Sequence, residues 1–140
     1  MADQTDHGPA PYVVDIEKAT LENENFRTTL WTGENLQMTV MTIPPGGEIG
    51  LEMHEDHDQF VRIEQGRATV QMGPAEDDLS FEETIEDDWV ALVPAGQWHN
   101  FTNVGDEPLK LYSLYGPPDH VKGTVHATRQ DADQDPNEQH

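Results

Sequence analysis

The chain has no cysteine. Disulfides and thiolate metal sites are excluded, so any bound metal must take nitrogen and oxygen ligands. Basic residues are scarce: seven Lys and Arg stand against 28 Asp and Glu, a formal net charge of −21. Phosphate backbones and anionic membrane surfaces would be repelled, so neither nucleic acid nor a membrane is an expected partner. No apolar run approaches the ~18 residues that a helical span requires. Residues 1–7, MADQTDH, contain neither a basic nor an apolar leader region. These absences lead to the expectation of a soluble, cytoplasmic protein. The acids are spread along the chain instead of being gathered in a tail. This pattern suits a halophilic protein solvated in a salty cytoplasm, where a Debye length of about 3 Å at molar salt screens self-repulsion. No phosphate-binding glycine loop, nucleophile elbow, paired catalytic carboxylates or solenoid repeat is present.

What the chain does contain is a succession of short β patterns. At 140 residues it is long enough for one domain with a core of its own. Residues 1–10 are polar with Gly8 and Pro9, and are expected to be disordered. Strands are expected at 12–16, 26–32, 36–43, around 51–54, 59–64, 68–72, 89–93, 98–103 and 109–115. A further short strand is expected in the acidic connection 73–88. The run Trp89–Val93 is continuously apolar and reads as a buried strand, with Trp89 and Trp98 in the core. Turn residues recur between these segments, and no amphipathic helix of ordinary length appears. The pattern predicts an all-β sandwich or barrel over residues 11–116. Residues 117–140 are polar and are expected to form a largely disordered tail.

Two clusters of chemistry-bearing residues stand out. Glu52 and His54 are two apart, which places them on one face of a strand, and Gln59 opens the next strand. His99 follows some forty residues later in Pro94-Ala-Gly-Gln-Trp-His99-Asn. His57, the main rival as a ligand, lies in the turn Glu-Asp-His-Asp and reads first as a solvated turn residue. His120 and His126 follow Pro117-Pro118 and could cover the mouth of the barrel, but read first as surface residues of the tail, and Arg62 points away from the face of Gln59. No Arg or Lys clamp for a phosphate is evident.

The spacing Gly46-x5-Glu52-x-His54-x4-Gln59-x6-Gly66 resembles the first motif of the cupin superfamily, Gly-x5-His-x-His-x3–4-Glu-x6-Gly. Pro94-x-Gly96-x2-His99-x3-Asn103 is similar to the second motif, Gly-x5-Pro-x-Gly-x2-His-x3-Asn. Three positions depart from the pattern: Glu52 stands at the first His, Gln59 at the Glu, and Asp88 at the opening Gly of the second motif. The resemblance covers roughly residues 30–116. It implies a double-stranded β-helix (jelly-roll) barrel with a divalent transition metal, Zn, Fe, Mn or Ni, in its mouth. The implied ligand set is Glu52, His54, Gln59 and His99.

Two histidines and one carboxylate form a facial group that leaves positions open. Gln59 would be a neutral fourth ligand or would orient the others. The resemblance implies a small metalloenzyme of isomerase, decarboxylase or dioxygenase type acting on a small polar metabolite. The alternative is a non-catalytic cupin that binds a small ligand, with a structural metal or none. A homodimer through the outer sheet, with Phe60 facing outward, is also expected.

Overall fold

The computed structural model describes residues 5–138, so residues 1–4 and 139–140 of the two segments expected to be disordered lie outside the described residues. Within 5–10, Asp6 accepts from Thr32 N–H and Oγ1–H and His7 N–H donates to the Leu30 carbonyl, against the expectation of disorder for 1–10. Its strands are β1 (Arg27–Thr32), β2 (Gln37–Ile43), β3 (Asp58–Gln65), β4 (Arg67–Gly73), β5 (Phe81–Glu86), β6 (Val90–Val93), β7 (Trp98–Asn103), β8 (Leu109–Gly116) and β9 (Val125–His126). Two short helices, α1 (Ile16–Glu22) and α2 (Arg129–Gln134), and a 3-10 turn at Pro136–Glu138 complete the elements. The strands form a six-stranded sheet in the order β6-β3-β8-β2-β1-β9 and a three-stranded sheet in the order β5-β4-β7. Every strand pairing among the described residues is antiparallel.

Alternation explains why these segments are strands. In β3, Gln59, Val61 and Ile63 are buried while Phe60, Arg62 and Glu64 are less so; in β4, Ala68, Val70 and Met72 are the inward set. The inward faces of the two sheets meet in one core that includes Met41, Ile43, Val61, Ile63, Val70, Phe101, Leu109 and Leu111. Segment 46–54 lies antiparallel along the free side of β7, with Ile49 N–H donating to the Phe101 carbonyl and Glu52 and His99 exchanging both backbone bonds. Motif residue Asn103 holds the loops: its amide donates to the carbonyls of Ile43 and Glu107 and its oxygen accepts from Gly105 N–H. Gly66 has φ +106, and a Cβ there would lie 3.1 Å from the Leu109 backbone. Asp88, at the motif's glycine position, has φ +73. That left-handed conformation is the physical reason a glycine suits the position.

Three further expectations are corrected. Residues 12–16 do not form a strand. Asp15 accepts from Lys18 N–H and caps α1, and this capping, followed by the helix formers of 16–22, outweighs the β propensity of Val13-Val14. The helix packs on the outer face of the six-stranded sheet, where buried Lys110 donates to the Asn23 carbonyl at 2.6 Å. Secondly, β6 is an edge strand, and it alternates: Ala91 and Val93 are buried, whereas Trp89, Val90 and Leu92 are exposed, Leu92 at 67%. A continuous apolar run cannot reveal that one face lacks a neighbour.

Thirdly, residues 117–138 are folded on the barrel. β9 pairs with β1, and α2 is closed by a capping box in which Thr128 and Asp131 satisfy each other's backbone N–H groups. The anchors are polar. Buried Gln37 accepts from Asp119 N–H and His120 N–H at 3.0 and 2.8 Å and donates to the His120 carbonyl at 2.8 Å.

Candidate metal centre

The pairing of segment 46–54 with β7 places the first three side chains. From Glu48 to Glu52 the segment advances four residues while β7 advances three, from Thr102 to His99. The extra residue is taken up at Gly50 and Leu51. Gly50 has φ +111, and its N–H donates to the Asn100 side chain at 3.0 Å. This bulge brings Glu52 directly opposite His99. His54 follows two residues on, with its carbonyl accepting from Gly96 N–H at 2.8 Å.

Glu52 Oε1 lies 3.5 Å from His54 Nε2 and 3.6 Å from His99 Nε2. One donor atom from each of the three residues falls within 4.8 Å of the others. His99 is 1% exposed, its Nδ1 lies 3.1 Å from the Gln97 carbonyl, and its Nε2 has no hydrogen-bond partner among the described residues. Because a carbonyl can only accept, Nδ1 carries the proton and Nε2 presents a lone pair to the Glu52 carboxylate. Two lone-pair donors aimed at one another are stabilised by a cation between them, so the donor set fits a divalent metal. Burial alone would raise the Glu52 carboxyl. The imidazoles of His54 and His99 beside it and the charges of His54 and Arg27 outweigh it and hold the group well below the usual carboxylate range. Burial pulls the His54 imidazole down, but bonding to Glu52 and the charges of Glu52 and Asp119 raise it overall.

Gln59 enters from β3, on the inward face. Its amide donates to Ser113 Oγ and Tyr115 Oη at 3.4 and 3.3 Å, and its Oε1 has no hydrogen-bond partner among the described residues. Burial pushes the Tyr115 phenol well above its ordinary value, so it remains a neutral hydroxyl.

The other side of the mouth is built from residues that sequence reasoning placed elsewhere or did not single out. His57 is not a solvated turn residue. Its ring stacks on His54 with centroids 4.6 Å apart, and its Nε2 lies 3.1 Å from Asp119 Oδ1. Burial and the charge of His54 lower its imidazole despite Asp119. Asp119 also reaches within 3.5 Å of His54 Nδ1, the arrangement of a carboxylate that orients a ligating histidine. His120 and His126 are buried, not on the surface. His120 Nδ1 lies 2.7 Å from Glu138, and His126 Nε2 lies 2.9 Å from Asp135.

A cavity of about 760 Å³ opens on this group, lined by Glu52, His54 and His57 from the barrel and by Asp119, Arg129 and Glu138 from the C-terminal segment. Arg27 lines it as well, from β1. No local signal marks Arg27, because Arg27–Leu30 are all buried and alternation is lost.

Comparison with known proteins agrees with this architecture. The model of the cupin domain matches residues 39–115. The uncharacterized protein YrkC of Bacillus subtilis (strain 168) is 54% identical over 91% of this chain and 68% of its own length. The crystal structure of BH2720 from Bacillus halodurans superposes with a TM-score of 0.93 at 54% identity, covering 94% of this chain and 99% of that one. A predicted oxalate decarboxylase from Thermotoga maritima superposes with a TM-score of 0.52 at 21% identity, over 59% of this chain and 66% of that one, a likeness of fold alone. With both motifs placed at the mouth of a two-sheet antiparallel barrel, the chain belongs to the cupin family.

Proposed function

We propose that this protein is a small metalloenzyme in which Glu52, His54 and His99 hold a divalent transition metal at the barrel mouth. Gln59 serves as a neutral fourth donor through Oε1. The observation that carries this reading is the convergence of His54 Nε2 and His99 Nε2 on Glu52 Oε1, with His99 Nδ1 tied to a carbonyl. An ion at this point supplies Lewis-acid polarisation of a carbonyl or carboxylate oxygen, or dioxygen chemistry if it is iron. The protein's own groups do the rest. Asp119 orients His54 and His57, Tyr115 and Ser113 orient Gln59, and the C-terminal segment narrows access of water. His57 stands beside this group with a lowered imidazole, suited to accept a proton from a bound substrate. The reaction class is isomerisation, decarboxylation or oxygenolytic cleavage of a small polar metabolite.

The test is elemental analysis of protein purified without added metal. We expect about one equivalent of a transition metal in the wild type and a loss of that metal in Glu52→Ala and His99→Ala. Wild-type protein with less than about a tenth of an equivalent would overturn the reading and leave a ligand-binding cupin without metal.

The same reading extends to a homodimer. Trp31, Met38, Leu114, Phe60 and Leu92 are successive register partners across β1, β2, β8, β3 and β6, an apolar row on the outer face. Such a row suits a second copy of the chain. Light scattering at working salt should report a dimer, and a monomer at all concentrations would remove the proposal.

A further inference from the structure

Arg27 is a buried cation with no carboxylate in direct contact among the described residues, although its charge is felt at Glu52 and Glu138. It is 4% exposed and forms no ion pair within 4.0 Å with any carboxylate among the described residues. Among the described residues, Nη1 lies 3.4 Å from His126 Nδ1, Nη2 makes only a 4.0 Å contact with the Met41 sulfur, and Nε has no partner. Guanidinium groups only donate, so His126 Nδ1 accepts from Nη1, and His126 Nε2–H donates to Asp135 at 2.9 Å. Asp135 thus holds the imidazole in the tautomer that receives Arg27. The Arg27 ring neighbour is Phe26, whose centroid is 5.3 Å from the guanidinium carbon. One end of the guanidinium is therefore fixed by histidine and aromatic contacts. The opposite edge, Nε–H with Nη2–H, carries two parallel donors spaced to take both oxygens of one carboxylate.

Burying a charge without a partner is among the costliest arrangements in a folded protein. Such cost persists at functional sites, where a ligand completes the set. Arg27 lines the same cavity as Glu52 and His54. We propose that Arg27 is a carboxylate clamp, and that the ligand of this cavity is a small carboxylate carrying a second oxygen donor, such as an α-hydroxy acid, an α-oxo acid or a short dicarboxylate. The clamp takes the carboxylate on guanidinium N–H groups that His126 does not engage, and the second oxygen faces Glu52, His54 and His99. A monoanionic group matches one guanidinium. A dicarboxylate such as malonate divides its charge, one carboxylate on the guanidinium and the other toward Glu52, His54 and His99, whereas phosphate would concentrate its charge beside Asp119 and Glu138, which line the cavity.

The inference rests on the metal-centre reading for the second oxygen, while the clamp itself is separable from it. Malonate is the probe, with inorganic phosphate as the contrast. Both are titrated by calorimetry into the wild type and Arg27→Met, with metal content measured on the same samples. Arginine Nε–H resonances follow the clamp directly. Malonate should bind the wild type more tightly than phosphate and shift the Arg27 Nε–H signal. Arg27→Met should lose at least about tenfold in malonate affinity while retaining its metal and unfolding at no lower temperature, because a buried unpaired charge has been removed. If Arg27→Met binds malonate unchanged, unfolds earlier with affinity retained, or if phosphate binds the wild type better than malonate, the clamp is overturned. Absence of metal with the malonate difference intact would overturn the metal reading and leave the clamp standing.

Discussion

The two sides of the barrel mouth are built in different ways. The barrel side, Glu52, His54, Gln59 and His99, comes from strand pairing: a bulge, a two-residue spacing and a backbone-paired cross-strand partner. Its positions follow from periodicity. The tail side, Asp119, His120, His126 and Glu138, is held by the two-residue pairing of β9 with β1 and otherwise by side chains: a buried glutamine, four acid–histidine contacts and a capped helix of six residues. Strand-based ligands share the rigidity of the core, whereas polar anchors can be released one at a time. The comparison teaches that this cupin has a stiff half that would hold an ion and a separable half that covers it.

The sharpest way to break that contrast is at Gln37. Replacing it by Ala strands two N–H groups and a carbonyl of the 119–120 segment. A loss of about 2–4 kcal/mol is expected in denaturant unfolding. Metal content should survive, because the barrel-side donors do not touch Gln37. Metal loss in step with stability would show the two halves to be one unit.

Acid offers a second, smaller lever. Burial would raise the Glu138 carboxyl, but bonding to His120 and the charges of His120, Arg27 and His126 lower it overall; bonding to His126 and to Asn137 N–H lowers Asp135. Groups with depressed folded values contribute stability above the unfolded value and lose it as pH falls through the folded one. Release of the tail should therefore begin as pH falls past the ordinary glutamate value of 4.5 and continue below it. Hydrogen exchange should show 117–138 losing protection before β3 and β8, and simultaneous loss would contradict the distinction.

The smallest effect belongs to Asp88. At φ +73, Asp88→Val should cost about 1–2 kcal/mol, whereas Asp88→Gly should stay within about 1 kcal/mol of the wild type. Equal unfolding midpoints for the two variants would show that the backbone at this motif position is unconstrained.

The same division governs what could be read from the sequence. The strand segments from β1 to β8 carry alternation or turn punctuation, and the two motifs gave the positions of Glu52, His54, Gln59 and His99. Alternation failed where both faces of a strand are covered, as at Arg27, and where one face of an apolar strand has no neighbour, as at Leu92. His57 sits among acids in a turn, and only the fold brings Asp119 to it. The tail looked structureless because its apolar content is low, but its order comes from Gln37, Thr128 and the acid–histidine contacts, which composition does not register.

The most direct test of the central claim is an anomalous-scattering map of the barrel mouth in crystals grown without chelator. The account predicts one peak at about 2.0–2.2 Å from Glu52 Oε1, His54 Nε2 and His99 Nε2. An empty mouth, or a peak held by His57, Asp119 or Glu138 in place of those three, would contradict it.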